Sequence, residues 1–373
     1  MSSACLFRII FVTAVIVFHV DATQQVCQPA EDCIALLADG KPCPLFPNPS
    51  RPSPLDPQGF NLTLIRPDVF SYSDGIYFSF IIYRNGKLAV IDFPDFFSSI
   101  APDGSYRLLT AIQSVLGQST PRKIYMIYSH FHVDHVGRAA SVRDFFKQSY
   151  KGATVRIVGT RETKNFLLRN RDDIPLPQIF ASRRKPFIIS FSPTLCLKLL
   201  VIGGHVKSDL LGYVPPSSDG VGIVNLVDII NPKEAPLPQF TIAMNFEKFI
   251  VAQQQLLKLD FDVINPGHGF IGSRKDVENN LNYVKFVLQA SREAAQEADP
   301  SVQVNTIQKF FNPSAFEFFN NPWAFGAILD AQADICFKKV IRRWGCILIG
   351  VDVVAREHCF IVSLYDFSST FRI

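Results

Sequence analysis

The stretch Ser129–Gly137, SHFHVDHVG, places His130, His132, Asp134 and His135 within six positions of a chain that has seven histidines in all. Imidazoles and carboxylates together are the donor set of divalent transition-metal sites. In an extended loop, residues two apart project to the same side, so His130 and His132 can reach one ion. Asp134 and His135 are adjacent, point apart, and can reach a second ion nearby. The competing reading is a polar surface loop with histidines by chance. Ligand types and spacing coincide in H-x-H-x-D-H, which weighs against it.

Other candidate ligands lie far along the chain. Apart from His19 and His358, the remaining histidines are His205, in VIGGHVKSDLLGYVP, and His268, in INPGHGF. Each is expected at a strand end beside glycine, where the backbone can approach an ion closely. Asp228, in IVNLVDIINP, ends an apolar strand. A buried carboxylate there is costly unless it is paired or coordinates a metal. A turn or capping aspartate is the alternative. Tyr213, in LLGYVP, is a candidate substrate-binding hydroxyl, against the reading of a core-strand tyrosine. Lys207 and Ser208, just past His205, are candidates for the mouth of the site.

The surrounding pattern supplies elements to position these groups. LTLIR, VFSYS and IYFSFIIY are β-branched and aromatic runs, and Asn85-Gly86 predicts a hairpin into KLAVIDF. Residues 104–118 carry apolar positions at helical spacing. RKIYMIYS reads as a buried strand running directly into the histidine motif. A short helix over 136–148 and a strand at TVRIVGT follow. The second half repeats the plan: strands at KPFIISF, LCLKLLVIG, LLGYVP and GIVNLVDII, a helix over 246–259, the strand FDVINPGHG, and a long helix from 273 to about 298.

In this order, H-x-H-x-D-H, a Gly-flanked histidine, an aspartate after a strand and a final G-H-G resemble the metallo-β-lactamase-fold hydrolases. The motifs span Ser129–Gly269, and the strand pattern extends from about Leu62 to Ala298. The resemblance implies an α+β fold, an αββα sandwich of two mixed β-sheets with helices on the outer faces and the site at the rim between the sheets. It implies two divalent ions, zinc first, with iron or manganese also compatible. His130, His132 and His205 would bind the first ion, Asp134, His135 and His268 the second, and Asp228 would bridge them. A shared hydroxide would be the nucleophile, with Asp134 as the catalytic group that orients it and shuttles its proton. The implied activity is hydrolysis of an ester, thioester, lactone or amide. An aspartate rather than a cysteine at 228 makes the metal site more similar to those of glyoxalase II and the lactonases than to lactam-cleaving enzymes. Asn231 stands where lactonases often carry a tyrosine. Two further readings share the motif: a sulfur dioxygenase-like oxidoreductase with a mononuclear iron site on His130, His132 and an aspartate, and a non-catalytic metal-binding protein.

Composition bounds the rest. Of 373 residues, 48% are hydrophobic and 19% charged, which excludes bulk disorder. The 37 basic residues are spread against 33 acidic ones without a basic block, so a small molecule rather than nucleic acid is the expected partner. Residues 1–22 read as a signal peptide: Arg8 precedes an apolar run, Ile9–Val20, too short for a comfortable membrane span, and small residues follow. No later segment reads as a membrane span, so the expected location is extracellular. Residues 23–59 read as a cysteine- and proline-rich arm with Cys27, Cys33 and Cys43, where a disulfide would close a short loop that the sequence cannot otherwise order. Residues 60–300 are the expected metallo-β-lactamase-like domain. Residues 301–373 are an extension of helix and strand packed on it, with Cys336, Cys346 and Cys359. Loss of Cys5 with the signal leaves seven cysteines, so at least one is left over from intrachain pairing. Asn61-Leu62-Thr63 is a glycosylation sequon.

Overall fold

Thirteen strands among the described residues sort into two mixed sheets. The computed structural model describes residues 32, 34–36, 55–218, 220–236, 246–299 and 322–370. The expected signal peptide and most of the arm, with Cys27, Cys33 and Cys43, lie outside them.

The first sheet runs in sequence order through β1 (Asn61–Arg66), β2 (Val69–Ser73), β3 (Phe78–Arg84), β4 (Lys87–Ile91), β5 (Lys123–Ile127), β6 (Thr154–Gly159) and β7 (Ile179–Phe180). Its first four strands are antiparallel and β4 to β7 are parallel. The Asn-Gly hairpin forms as expected. Asn85 and Gly86 both take positive φ, 52° and 73°, and Arg84 pairs with Lys87 across the turn. Parallel strands need crossovers, and α1 (Arg107–Leu116), α2 (Val133–Val136), α3 (Ala139–Ser149) and α4 (Arg161–Asn170) occupy them. The second sheet has the order β13-β12-β11-β10-β9-β8, from β8 (Phe187–Ser190), β9 (Cys196–Val201), β10 (Leu210–Val214), β11 (Ile223–Leu226), β12 (Val263–Pro266) and β13 (Gly272–Ser273). Only β11 and β12 pair in parallel.

The period-2 alternation of strands explains how the layers stack. Phe80, Ile82, Ala89, Ile91 and Ile127 of the first sheet share one apolar cluster with Leu197, Leu199, Leu210, Val214 and Ile223 of the second. The intervening residues Ile81, Leu88, Val90, Ile124 and Met126 join Leu108 and Ile112 of α1 and Val142 and Phe146 of α3. The far face of the second sheet, including Leu211, Val224, Leu226 and Ile264, is buried as well. Beside this sheet lies α5 (Phe246–Leu256), whose Phe249 and Ala252 approach Gly204. This is the expected αββα sandwich. The two-residue strands β7 and β13 and helix α4 carry too little periodic signal to be read from sequence.

The described chain divides into two compact units. The first reaches Pro232 and takes in residues 246–278. The second takes in 233–236, 279–299 and 322–370. Helix α6 (Arg274–Glu297) crosses the division. In the second unit, α7 (Pro322–Trp344) and α8 (Val351–Thr370) are joined by a Cys336–Cys359 disulfide. Cys346 is disulfide-bonded too, while Cys196, buried in β9, keeps its thiol. The strand expected in the C-terminal extension is not found among its described residues. The apolar runs there belong to helices that bury Val340, Ile341, Val354 and Ala355. Among the described residues no helix is long and apolar enough to cross a membrane.

Candidate metal centre

Every candidate ligand sits at one rim of the sandwich, and the sheet topology dictates this. β4 and β5 are parallel, so Asp92 and the Ser129–Val136 segment leave the same edge. β11 and β12 are parallel, so Asp228 and His268 also share an edge, and the turn from β9 into antiparallel β10 carries His205 to it. The sheets are stitched there by backbone bonds: Leu210 N–H donates to the Ser129 carbonyl at 2.8 Å and Phe78 N–H to that of Gly267 at 3.0 Å.

The seven predicted ligands form two groups. His130, His132, His205 and Asp228 converge in one, and Asp134, His135 and His268 in the other. His132 Nδ1 lies 2.9 Å from His130 Nε2 and 3.1 Å from His205 Nε2. Asp228 touches both groups. Its Oδ2 lies 3.2 Å from His135 Nε2 and 3.4 Å from His130 Nε2, and its Oδ1 lies 3.2 Å from His268 Nε2. Each group draws ligands from both sheets. Asp134 and His135 come from a single helical turn, α2, rather than an extended loop, and Asp134 Oδ2 lies 3.5 Å from His135 Nε2.

Local backbone chemistry makes this possible. Asp228 takes φ +59°, a left-handed conformation that costs a non-glycine residue about 1–2 kcal/mol and that Asp tolerates better than most. Gly204 has φ +138°, and a Cβ on it would stand 3.0 Å from Ile229 and 3.1 Å from Ala252. A Cβ on Gly267 would stand 2.6 Å from Val227 and 3.0 Å from the Asp228 carboxylate, so only glycine lets the chain pass beneath His268.

The electrostatics suit cations. Burial, then the neighbouring His130 and His205, pushes His132 down to about 4, leaving its lone pair available at neutral pH. Burial opposes charge on Asp228, yet His135 and the other imidazoles hold it well below the usual carboxylate range. Burial likewise opposes protonation of His135, but Asp228 and Asp92 raise it well above the ordinary histidine value. Asp228 and His135 thus face each other as a buried pair of opposite tendency. His135 Nε2 and Asp228 Oδ1 are buried and make no well-directed hydrogen bond. Crowded imidazole nitrogens beside such atoms are a donor set that fits divalent ions.

Several supporting residues escape a sequence reading. Asp92 accepts the Ser129 N–H at 2.8 Å and its other oxygen lies 3.4 Å from His135 Nδ1, orienting that ligand. The argument that singled out Asp228, a carboxylate ending an apolar strand, applies equally to Asp92. Asp209 accepts the Val206 N–H at 2.8 Å and braces the turn that carries His205; burial raises its carboxyl well above the usual range. The Tyr77 hydroxyl donates to Asp134 Oδ2 at 3.3 Å, and its ring meets His268 edge-on with centroids 4.6 Å apart. Only its position opening β3 hints at this. His268 Nδ1 faces the Ile76 carbonyl at 3.2 Å, and His130 Nδ1 faces Ser129 Oγ at 2.9 Å.

Tyr213 does not join the centre. It faces away from the inter-sheet layer, as strand parity from Val214 requires, and its hydroxyl donates to the Asp260 carbonyl at 2.9 Å. Ser208 is fully buried, whereas Lys207 is exposed.

No family model and no curated protein matches the chain. Solved structures do. A metallo-β-lactamase from Pontibacter korlensis is 18% identical with a TM-score of 0.46, covering 60% of this chain and 97% of that one. A Cronobacter sakazakii metallo-β-lactamase is 15% identical at 0.44, over 64% and 96%. An archaeal metallo-β-lactamase superfamily protein from Sulfolobus tokodaii is 13% identical at 0.37, over 61% and 86%.

Proposed function

We propose that the chain is a metal-dependent hydrolase that holds two divalent ions, zinc first, and cleaves an ester, thioester, lactone or amide outside the cell. The observation that carries this reading is the pair of ligand groups sharing Asp228 on one rim. His130, His132 and His205 would hold one ion and Asp134, His135 and His268 the other. Bound there, the ions supply an acidified water and a Lewis acid for the scissile carbonyl.

The protein's own groups do the rest. Asp228 contacts members of both groups and fixes their spacing. Asp134 is the least buried of the carboxylates, its side chain 41% exposed, so it can take a proton at Oδ and deliver it to a leaving group. Tyr77 holds that carboxylate in place, and Asp92 and the Ile76 carbonyl orient His135 and His268. The extracellular assignment is supported by the N-terminal apolar run and by the Cys336–Cys359 bridge, since disulfides persist in oxidising compartments.

The test combines metal analysis with a substrate panel. Purified protein should carry about two ions per chain, and Asp134→Ala should abolish hydrolysis of esters and thioesters with circular dichroism unchanged. Full activity after exhaustive chelation would falsify the proposal.

A further inference from the structure

A cavity of about 610 Å³ opens beside the turn that carries His205, and its lining is strongly basic. Arg161, Arg183, Lys207 and Lys248 contribute positive charge, against one carboxylate, Glu162. Arg161, Arg183 and Lys207 form no ion pair among the described residues. Like charges gathered in one concavity repel each other and focus a positive potential, which a bound anion relieves.

The cations are exposed, and two of them rest against neighbouring groups. The Arg161 guanidinium lies 5.1 Å from the centroid of the Phe180 ring, a cation–π contact that leaves its N–H donors free to turn outward. Lys164, one turn along α4, approaches the same ring at 5.7 Å. The Arg183 guanidinium lies against Gly203, so close that a Cβ there would be 2.9 Å from Nη2.

Two walls of the cavity lead to the metal centre. The turn from Val201 to Lys207 contains His205 itself. Helix α4 carries Phe166, which stacks on Phe131 with centroids 3.9 Å apart and planes at 16°, and Phe131 lies between His130 and His132 in sequence. Lys207 of the lining is thus two residues from His205 in the chain, and Arg161 opens the helix whose Phe166 packs on Phe131.

We infer that this cavity is an anion subsite that takes a phosphate- or carboxylate-bearing part of the substrate, so that the preferred substrates are anionic acyl compounds. The assignment to a substrate rests on the hydrolase reading; the anion site itself does not. Arginine is suited to such groups because its planar fork pairs with two oxygens at once.

The test has two arms. In the first, pyrophosphate and succinate are titrated calorimetrically into metal-loaded protein and into Arg161→Ala/Arg183→Ala, with metal content and melting temperature measured on both. Saturable binding that weakens at least about tenfold in the variant, at equal metal content, is expected from the loss of charge-assisted hydrogen bonds. Preference between the two probes tells phosphate from carboxylate. Equal affinity in both proteins means the anions sit on the ions or nowhere specific, and overturns the subsite. In the second arm, kcat/KM is compared for a neutral ester and its carboxylated analogue. The anionic-to-neutral ratio should fall about tenfold in the variant, and an unchanged ratio overturns the substrate assignment. Anion binding lost in the variant while wild type cleaves neither ester would uphold the subsite and count against the hydrolase reading instead.

Discussion

Tyr77→Phe probes a residue that touches the second ligand group without belonging to it. Burial, then the charge of Asp134, raises the phenol well above its usual range, so Tyr77 stays protonated and acts as a donor. Its bond to Asp134 Oδ2 is 3.3 Å, longer than the 2.7–2.8 Å typical of O–H···O contacts. Hydrogen bonds to charged groups contribute about 1.5–3 kcal/mol, and the long distance places this one at the lower end. Removing it should weaken the affinity of the Asp134–His135–His268 group roughly tenfold and leave the other group unchanged. Stability should barely move, because phenylalanine keeps the edge-on packing against His268 and solvent can reach Asp134. Competitive titration against a chromophoric chelator resolves the two binding steps. Equal weakening of both steps, or no change in the second, refutes the positioning role.

Other expected outcomes follow from features elsewhere. Asp92→Asn should lower metal affinity or activity about 10–100-fold through His135, measured by the same titration with hydrolysis alongside. His358 is buried beside Tyr283, 2.8 Å from its hydroxyl, and burial pushes it down to about 3. Its folded value lies below its unfolded one, so the unfolded chain takes up a proton first. Stability should rise with pH between about 3 and 6.5, by up to about 1.4 kcal/mol per unit, and His358→Gln should flatten that limb in thermal melts from pH 4 to 7. Breaking the Cys336–Cys359 bridge, whose cysteines are 23 residues apart, with Cys336→Ala/Cys359→Ala should cost roughly 3 kcal/mol by loop entropy; unchanged denaturant midpoints would contradict this.

What the sequence discloses follows the range of the physics. The Asn85-Gly86 turn is local, needing only two residues able to take positive φ, and it stands where the dipeptide says. The seven candidate ligands, which the fold brings together, are legible because their identities are restricted by chemistry and the flanks of His205 and His268 by glycine. Tyr77 and Asp92 are not, because their roles exist only through partners from other elements: Tyr77 with His268 across the seam, Asp92 with Ser129 and His135 beyond the end of the next strand. Tyr213 shows the reverse case. Its hydroxyl makes it a candidate for the site, yet strand parity turns it to Asp260.

The division of each ligand group between the two sheets bears on how the protein matures. A nascent chain that has reached only the first sheet displays His130, His132, Asp134 and His135 and no complete coordination set. His205, Asp228 and His268 arrive with the second sheet, and the Leu210–Ser129 and Phe78–Gly267 bonds bring the halves together. On the proposed function, capture of the ions would report successful docking rather than nucleate it. Each ion would then act as a clasp between chain segments far apart in sequence, one that a chain starved of metal would lose while keeping both halves.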